Sequence, residues 1–212
     1  MAAEMIARVF IYLMAGVIGI AAGVSSALYL SGLWSTKKPM EFGNINVGGW
    51  VSDFAVGSKQ ASPYVRARVA RHGLLALANT EAVYFVRGAD DAGERLVENC
   101  DYQLTGGALP AGWWSITLYQ TSDSKLPMND DDALSVDATS VVLDGEEGSE
   151  AWRIRISPER AFDEPNWISS REAERFDLLL RLYVPEAGLL TDPEGTLAPP
   201  SIERLGCTED SA

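Results

Sequence analysis

Between Val9 and Leu30 the chain runs for 22 residues without a charged side chain, VFIYLMAGVIGIAAGVSSALYL. As an α-helix rising about 1.5 Å per residue it would reach roughly 33 Å, enough to cross a hydrocarbon core. Tyr12 stands near one end and Tyr29 and Trp34 near the other, as interfacial aromatics do, and Lys37 and Lys38 close the segment. A retained anchor and a cleaved signal peptide compete for this stretch. Ser25-Ser26-Ala27 offers small residues for cleavage, but the apolar run is longer than a usual signal core. The anchor is the preferred reading.

Ala15, Gly19, Gly23 and Ala27 recur every four residues and form one stripe of this helix, with Gly19 to Gly23 as a GxxxG. Small residues let two membrane helices approach closely, so the stripe is a candidate packing face for a second copy or another membrane protein. Ordinary membrane-helix composition explains the same residues. No ionisable group lies inside the span, which argues against transport through it.

These features divide the chain into a cytoplasmic tail (1–8), a membrane anchor (9–30), a linker (31–49), a β-rich domain (50–207) and a short tail (208–212). Arg8 on one side and Lys37-Lys38 on the other leave the positive-inside rule undecided. The short N-terminal tail and the two cysteines favour export of the domain, hence a single-pass inner-membrane protein with its domain in the periplasm.

Of 30 acids and 17 bases, only Glu4, Arg8, Lys37 and Lys38 precede Glu41, so the remainder carries a net charge of −15. That field repels phosphate backbones and excludes nucleic acid as a natural partner.

Ser62-Pro63 supplies an N-cap and a first-turn proline, and the pattern predicts a helix over Tyr64–Ala78. Beyond it, AVYFVRG, DYQLTGG, WWSITLYQT, ATSVVLDG and AWRIRIS read as short strands bounded by Gly, Asp or Pro, with a hairpin turn around Asp91–Gly93. The run NWISSREAERFDLLLRLYVP predicts a short helical turn and then a strand over Phe176–Val184, and PEGTLAPPSIERLGC an extended end. The fold class is mainly β (α+β): a β-sandwich or jelly-roll-like domain with one main helix after the membrane helix.

A single histidine, His72, removes multi-histidine metal centres, and no Gly-rich phosphate loop is present. No cofactor or metal is expected; the acid clusters Asp130–Asp132 and Asp144–Glu150 read as solvated turns. Cys100 and Cys207 are the only cysteines, and an oxidising compartment would bridge them. Alternation in the strand after Gly112 places Trp113, Ser115, Thr117 and Tyr119 on one face and Trp114, Ile116 and Leu118 on the core face. The first strip lines a binding cleft or packs on the helix.

The series Arg66-Ala67, Glu81-Ala82-Val83-Tyr84, Gly93 to Leu96, Tyr102 to Leu104, Leu109-Pro110 and Trp114 to Tyr119 resembles the bacterial domain of unknown function 1214. Asn129, Asn166-Trp167, Arg181 with Tyr183, and Pro199-Pro200-Ser201-Ile202 continue the resemblance over about residues 50–206. It implies a β-sandwich or jelly-roll domain of the exported, membrane-anchored kind found in Gram-negative bacteria, without the companion domain 1254 that often precedes it. It implies no catalytic residue.

The functional expectation is a non-enzymatic module that binds a partner or envelope ligand, with Arg66, Glu81, Tyr84, Trp113, Ser115 and Tyr119 as candidate ligand-binding residues. One alternative is an accessory subunit of an inner-membrane complex, docked through the small-residue stripe. The other is an enzyme acting on envelope carbohydrate or lipid, with Glu81, Arg66 and Tyr119 around a cleft.

Overall fold

The computed structural model describes residues 2–31, 44–71, 77–145 and 148–208. The chain divides into two compact units; among the described residues, one holds the two longer helices and the other ten strands. His72, Trp34, Lys37 and Lys38 lie outside the described residues.

The first unit contains α1 (Ala2–Leu30) and α2 (Pro63–Arg71). Over Glu4–Leu30, α1 is long and apolar enough to cross a membrane, a property it shares with signal sequences, and none of its most apolar stretch is buried by protein. A β-carbon at Gly19 or Gly23 would meet nothing within 4 Å, so the small-residue stripe is uncovered. In α2 the Ser62 hydroxyl accepts from Val65 N–H at 3.3 Å, the expected cap. The helix is shorter than the Tyr64–Ala78 expectation: Leu77 and Ala78 are not helical, and Asn79 and Glu81 turn back toward Gly57 and Ala78 through main-chain bonds.

The second unit is a β-sandwich. One sheet has six strands in the order β1 (Ile45–Val47), β2 (Trp50–Ser52), β3 (Ala82–Arg87), β9 (Phe176–Pro185), β5 (Ala111–Gln120), β6 (Ser135–Asp137). The other has four: β10 (Ser201–Cys207), β4 (Cys100–Gly106), β7 (Trp152–Ser157), β8 (Trp167–Ser169). All pairings are antiparallel except β7 with β8. Strand β1 lies inside the span read as linker, so the domain begins earlier than residue 50.

The inner faces meet as period-two alternation demands. Val83, Phe85, Trp114, Ile116, Leu118, Leu178, Leu180 and Leu182 come from the larger sheet, and Tyr102, Leu104, Ile154, Ile156, Ile168 and Ile202 from the smaller. Aromatic pairs join the layers: Trp114 stacks on Trp152 at 5.0 Å, and Tyr102 meets Phe176 edge-on at 5.9 Å. Gly106 is required here, because a β-carbon would fall 2.3 Å from the Trp152 ring. Cys100 and Cys207 are opposite one another on β4 and β10 and form a disulfide.

Several local expectations are corrected. The turn at Asp91–Gly93 exists, held by Asp90 Oδ1, which accepts from Ala92 and Glu94 N–H at 3.1 and 2.9 Å. It closes a short hairpin, as expected, with Ala89 paired antiparallel to Arg95 and Asp90 N–H donating to the Glu94 carbonyl at 2.9 Å, while β3 and β4 themselves go to different sheets. ATSVVLDG is not a strand: Asp137 Oδ1 accepts from Thr139 and Ser140 N–H at 2.7 and 3.0 Å, which curls the backbone and ends β6. The helical turn expected in SSREAE is excluded by left-handed residues, Glu172 at φ 63° and Glu174 at φ 54°. The Glu98 carboxylate holds both, accepting from their N–H groups at 2.7 and 2.9 Å. Near the end, Pro193–Thr196 forms one helical turn (α3) instead of extended chain, capped by Asp192 Oδ1 on Gly195 N–H at 3.1 Å.

Candidate functional site

The outer face of the six-stranded sheet gathers most of the candidate residues. Strand register places Tyr84 of β3 opposite Arg181 of β9, Arg181 opposite Ser115 of β5, and Ser115 opposite Asp137 of β6. One row along, Tyr183 is opposite Trp113. Directly paired residues share a face, so Tyr84, Trp113, Ser115, Thr117, Tyr119, Arg181 and Tyr183 belong to one surface.

Arg181 lies across its middle. Its Nη1 donates to Thr117 Oγ1 at 2.9 Å and its Nη2 to Tyr119 Oη at 2.6 Å, with the guanidinium 5.5 Å from the Tyr119 ring centre. No carboxylate pairs with it among the described residues, although seven ion pairs are formed elsewhere in the sandwich by Arg87, Arg95, Arg153, Arg155, Arg171 and Arg204. An arginine has five N–H donors, so this one keeps donors in reserve.

Trp113 is fixed by two contacts: its indole N–H donates to Thr139 Oγ1 at 2.9 Å, and its ring meets Tyr183 edge-on at 5.3 Å. It remains 37 % exposed, while Ser115 and Thr117 between the rings are buried. Burial pushes the Tyr84 phenol above its ordinary value, against the opposing pull of the Leu77 main chain and Arg181, so Tyr84 is a protonated donor at neutral pH.

Within the sandwich, Glu81 is the expected residue that does not join this face. Glu81 precedes β3, and its Oε2 accepts from Ala78 N–H at 3.3 Å. Its carbonyl takes Val184 N–H, which sets it beyond the Trp113 row. Tyr119 is six residues further along β5, about 20 Å at the usual strand rise. A cleft built jointly by Glu81 and Tyr119 is therefore not formed. Arg66 is on α2, in the other unit. Arg181 and Tyr183 were missed as site residues, and the signal for them was present: a lone arginine in the leucine-rich run LLLRLYV falls at an outward position.

The acid run at Asp130–Asp132 is not simply solvated, because Asp130 and Asp131 both bind Arg171. Other residues that carry the resemblance are structural. Asn166, buried, accepts from Val142 N–H at 2.7 Å and donates to the Val142 and Arg153 carbonyls at 2.7 and 2.8 Å. Pro200 carbonyl accepts from Trp50 Nε1 at 2.8 Å and from Arg87. No group of three or more potential metal-ligating side chains occurs among the described residues.

A family model described as "Protein of unknown function (DUF1214)" matches residues 81–187. The chain belongs to the DUF1214 family. The match takes in β3 through β9 and thus the whole candidate face, but not Arg66-Ala67 or Pro199–Ile202. The VPA0106 protein of Vibrio parahaemolyticus has a similar structure, with TM-score 0.59 and 18 % identity over 89 % of this chain and 44 % of that one. The chain thus spans less than half the length of the Vibrio protein, and the likeness concerns the fold. A protein from Burkholderia cenocepacia aligns at TM-score 0.39 and 18 % identity, over 62 % of this chain and 31 % of that one. No curated protein matches the chain.

Proposed function

We propose that this DUF1214 chain is a membrane-tethered binding module of the bacterial envelope, with α1 as the retained anchor and the sandwich in the periplasm. The outer face of the six-stranded sheet is its binding surface. The observation that carries this reading is Arg181, a cation without a carboxylate partner among the described residues, set between hydroxyls and aromatic rings in a strongly acidic chain. Buried or half-buried charges are ordinarily paired, and one left available is characteristic of a recognition site. The positioned Trp113 ring adds a flat, partly exposed contact surface that is already oriented before binding.

Photo-crosslinking in intact cells tests it. A benzoylphenylalanine in place of Trp113 should form one defined adduct, while the same group in place of the fully exposed Phe162, between β7 and β8, should form none. Equal labelling at both positions, or none at Trp113, would remove the proposal.

A second reading is an accessory subunit docked through α1, favoured by the uncovered Gly19–Gly23 stripe. The two readings are compatible, since one uses the anchor and the other the sandwich.

A further inference from the structure

The face around Arg181 narrows the class of ligand, given that this surface binds one. We infer that it recognises a short oligosaccharide carrying an isolated carboxylate, with the acid group on Arg181 and a neighbouring sugar ring against Trp113 and Tyr183.

Three features lead there. Arg181 has donors in excess of its bonds to Thr117 and Tyr119, and those two bonds fix the guanidinium plane. A planar, oriented fork of donors matches a carboxylate. Second, a peptide would lack its usual handhold. β9, which carries Arg181 and Tyr183, is paired on both sides, and β6 covers β5 over Ser115–Thr117, so the strands around Arg181 offer no free edge for main-chain bonding. Side-chain hydroxyls and aromatic faces remain, which suit sugar hydroxyls and the apolar face of a pyranose. Third, the spacing sets a length. Thr117, which holds the guanidinium, is four residues along β5 from Trp113, roughly 13 Å at the normal strand rise. One pyranose cannot touch both points, and a short chain of sugars can.

The acidity of the protein limits the charge density of the ligand. The chain carries −13 overall, which repels polyanions at long range, but that field is screened over about 8 Å at physiological salt. A single carboxylate in contact with Arg181 sees the guanidinium first. Closely spaced sulfates or phosphates would not gain the same advantage.

Saturation-transfer NMR on the detergent-solubilised full chain tests this with two probes. These are a hyaluronan tetrasaccharide (alternating glucuronate and N-acetylglucosamine) and the same tetrasaccharide with its carboxylates reduced to alcohols. The acidic probe should bind about tenfold more tightly, Arg181→Gln should abolish the difference, and Arg181→Lys should restore part of it. Trp113→Ala should weaken both probes while keeping the ratio between them, with a small fall in the thermal midpoint from the lost contacts to Thr139 and Tyr183. Equal binding of the two probes to the wild type would overturn the carboxylate inference and leave the binding face intact. Silence from both would overturn the ligand class; the crosslinking result at Trp113 then decides separately whether the face binds anything.

Discussion

Arg171 grips Asp131 through two parallel hydrogen bonds, Nη2 to Oδ1 at 2.7 Å and Nε to Oδ2 at 3.0 Å. The same carboxylate accepts from Ser169 Oγ at 2.6 Å, so the loop entering β6 is fastened to the end of β8. Asp130 binds the guanidinium from a far more exposed position.

This fastening gives an acid-sensitive stability. The bonds from Arg171 and then Ser169 hold Asp131 below its ordinary value of 3.8. A carboxylate with a depressed folded-state pKa stabilises the native form above the unfolded value and loses that contribution as pH falls through the folded one. Thermal midpoints should therefore be flat in this respect above about pH 5 and should fall below roughly pH 4. Asp131→Asn should lower the neutral-pH midpoint by about 2–4 °C, as expected of roughly 1 kcal/mol in a chain of this length, and flatten the acid limb. Asp130→Asn should do much less, and an unaltered acid limb in Asp131→Asn would count against the assignment.

Glu98→Gln should be more damaging than its exposed surroundings suggest. The carboxylate holds two left-handed residues by their N–H groups, and the amide presents only one acceptor oxygen. A loss of about 1–3 kcal/mol in a urea titration is expected, with the denaturant slope unchanged.

Replacing both Cys100 and Cys207 by serine should destabilise the sandwich. The bridge closes a separation of 107 residues, for which chain entropy gives an upper figure of about 4–5 kcal/mol. Alkylation of the isolated protein should find no free thiol before reduction and two after it. Limited proteolysis of the double variant should cut first near β10.

If α1 is a retained anchor with the stated orientation, a cysteine introduced at the exposed Met128 of a Cys100→Ser/Cys207→Ser background should react with a membrane-impermeant reagent in spheroplasts. The protein should stay in the membrane fraction through carbonate washing. Release into the soluble fraction would favour the cleaved-signal reading. Replacing Gly19 and Gly23 by leucine should leave insertion intact and dissociate any partner that docks on that stripe.

The face that carries the proposed binding was half legible in the sequence. Trp113 to Tyr119 alternate strictly, so their two sides could be assigned from spacing alone, and the core side is Trp114, Ile116 and Leu118 as expected. Arg181 could be placed on an outward position but not beside Thr117 and Tyr119, because that depends on β9 pairing with β5 across about 60 residues of sequence. Strand pairing between distant segments leaves no local mark. The misread segments fail for another reason. In ATSVVLDG the two valines favour strand, yet the side chain of Asp137 captures two N–H groups and turns the chain first. In SSREAE the helix-forming residues are overruled by Glu98, 74 and 76 positions away from the groups it binds.

The contacts of the C-terminal strand bear on when the protein can mature. Trp50, near the start of the sandwich, donates to the Pro200 carbonyl 150 residues later, and β10 completes the four-stranded sheet through its pairing with β4. A nascent chain that has not yet delivered Cys207 lacks an edge strand, a partner for a buried indole and one half of the disulfide. The sandwich therefore closes only after synthesis has reached that point, and until then β4 presents a bare strand edge to the cell. A ribosome-tethered chain ending at residue 195 should accordingly be protease-sensitive and should engage export or folding chaperones that the finished domain no longer needs.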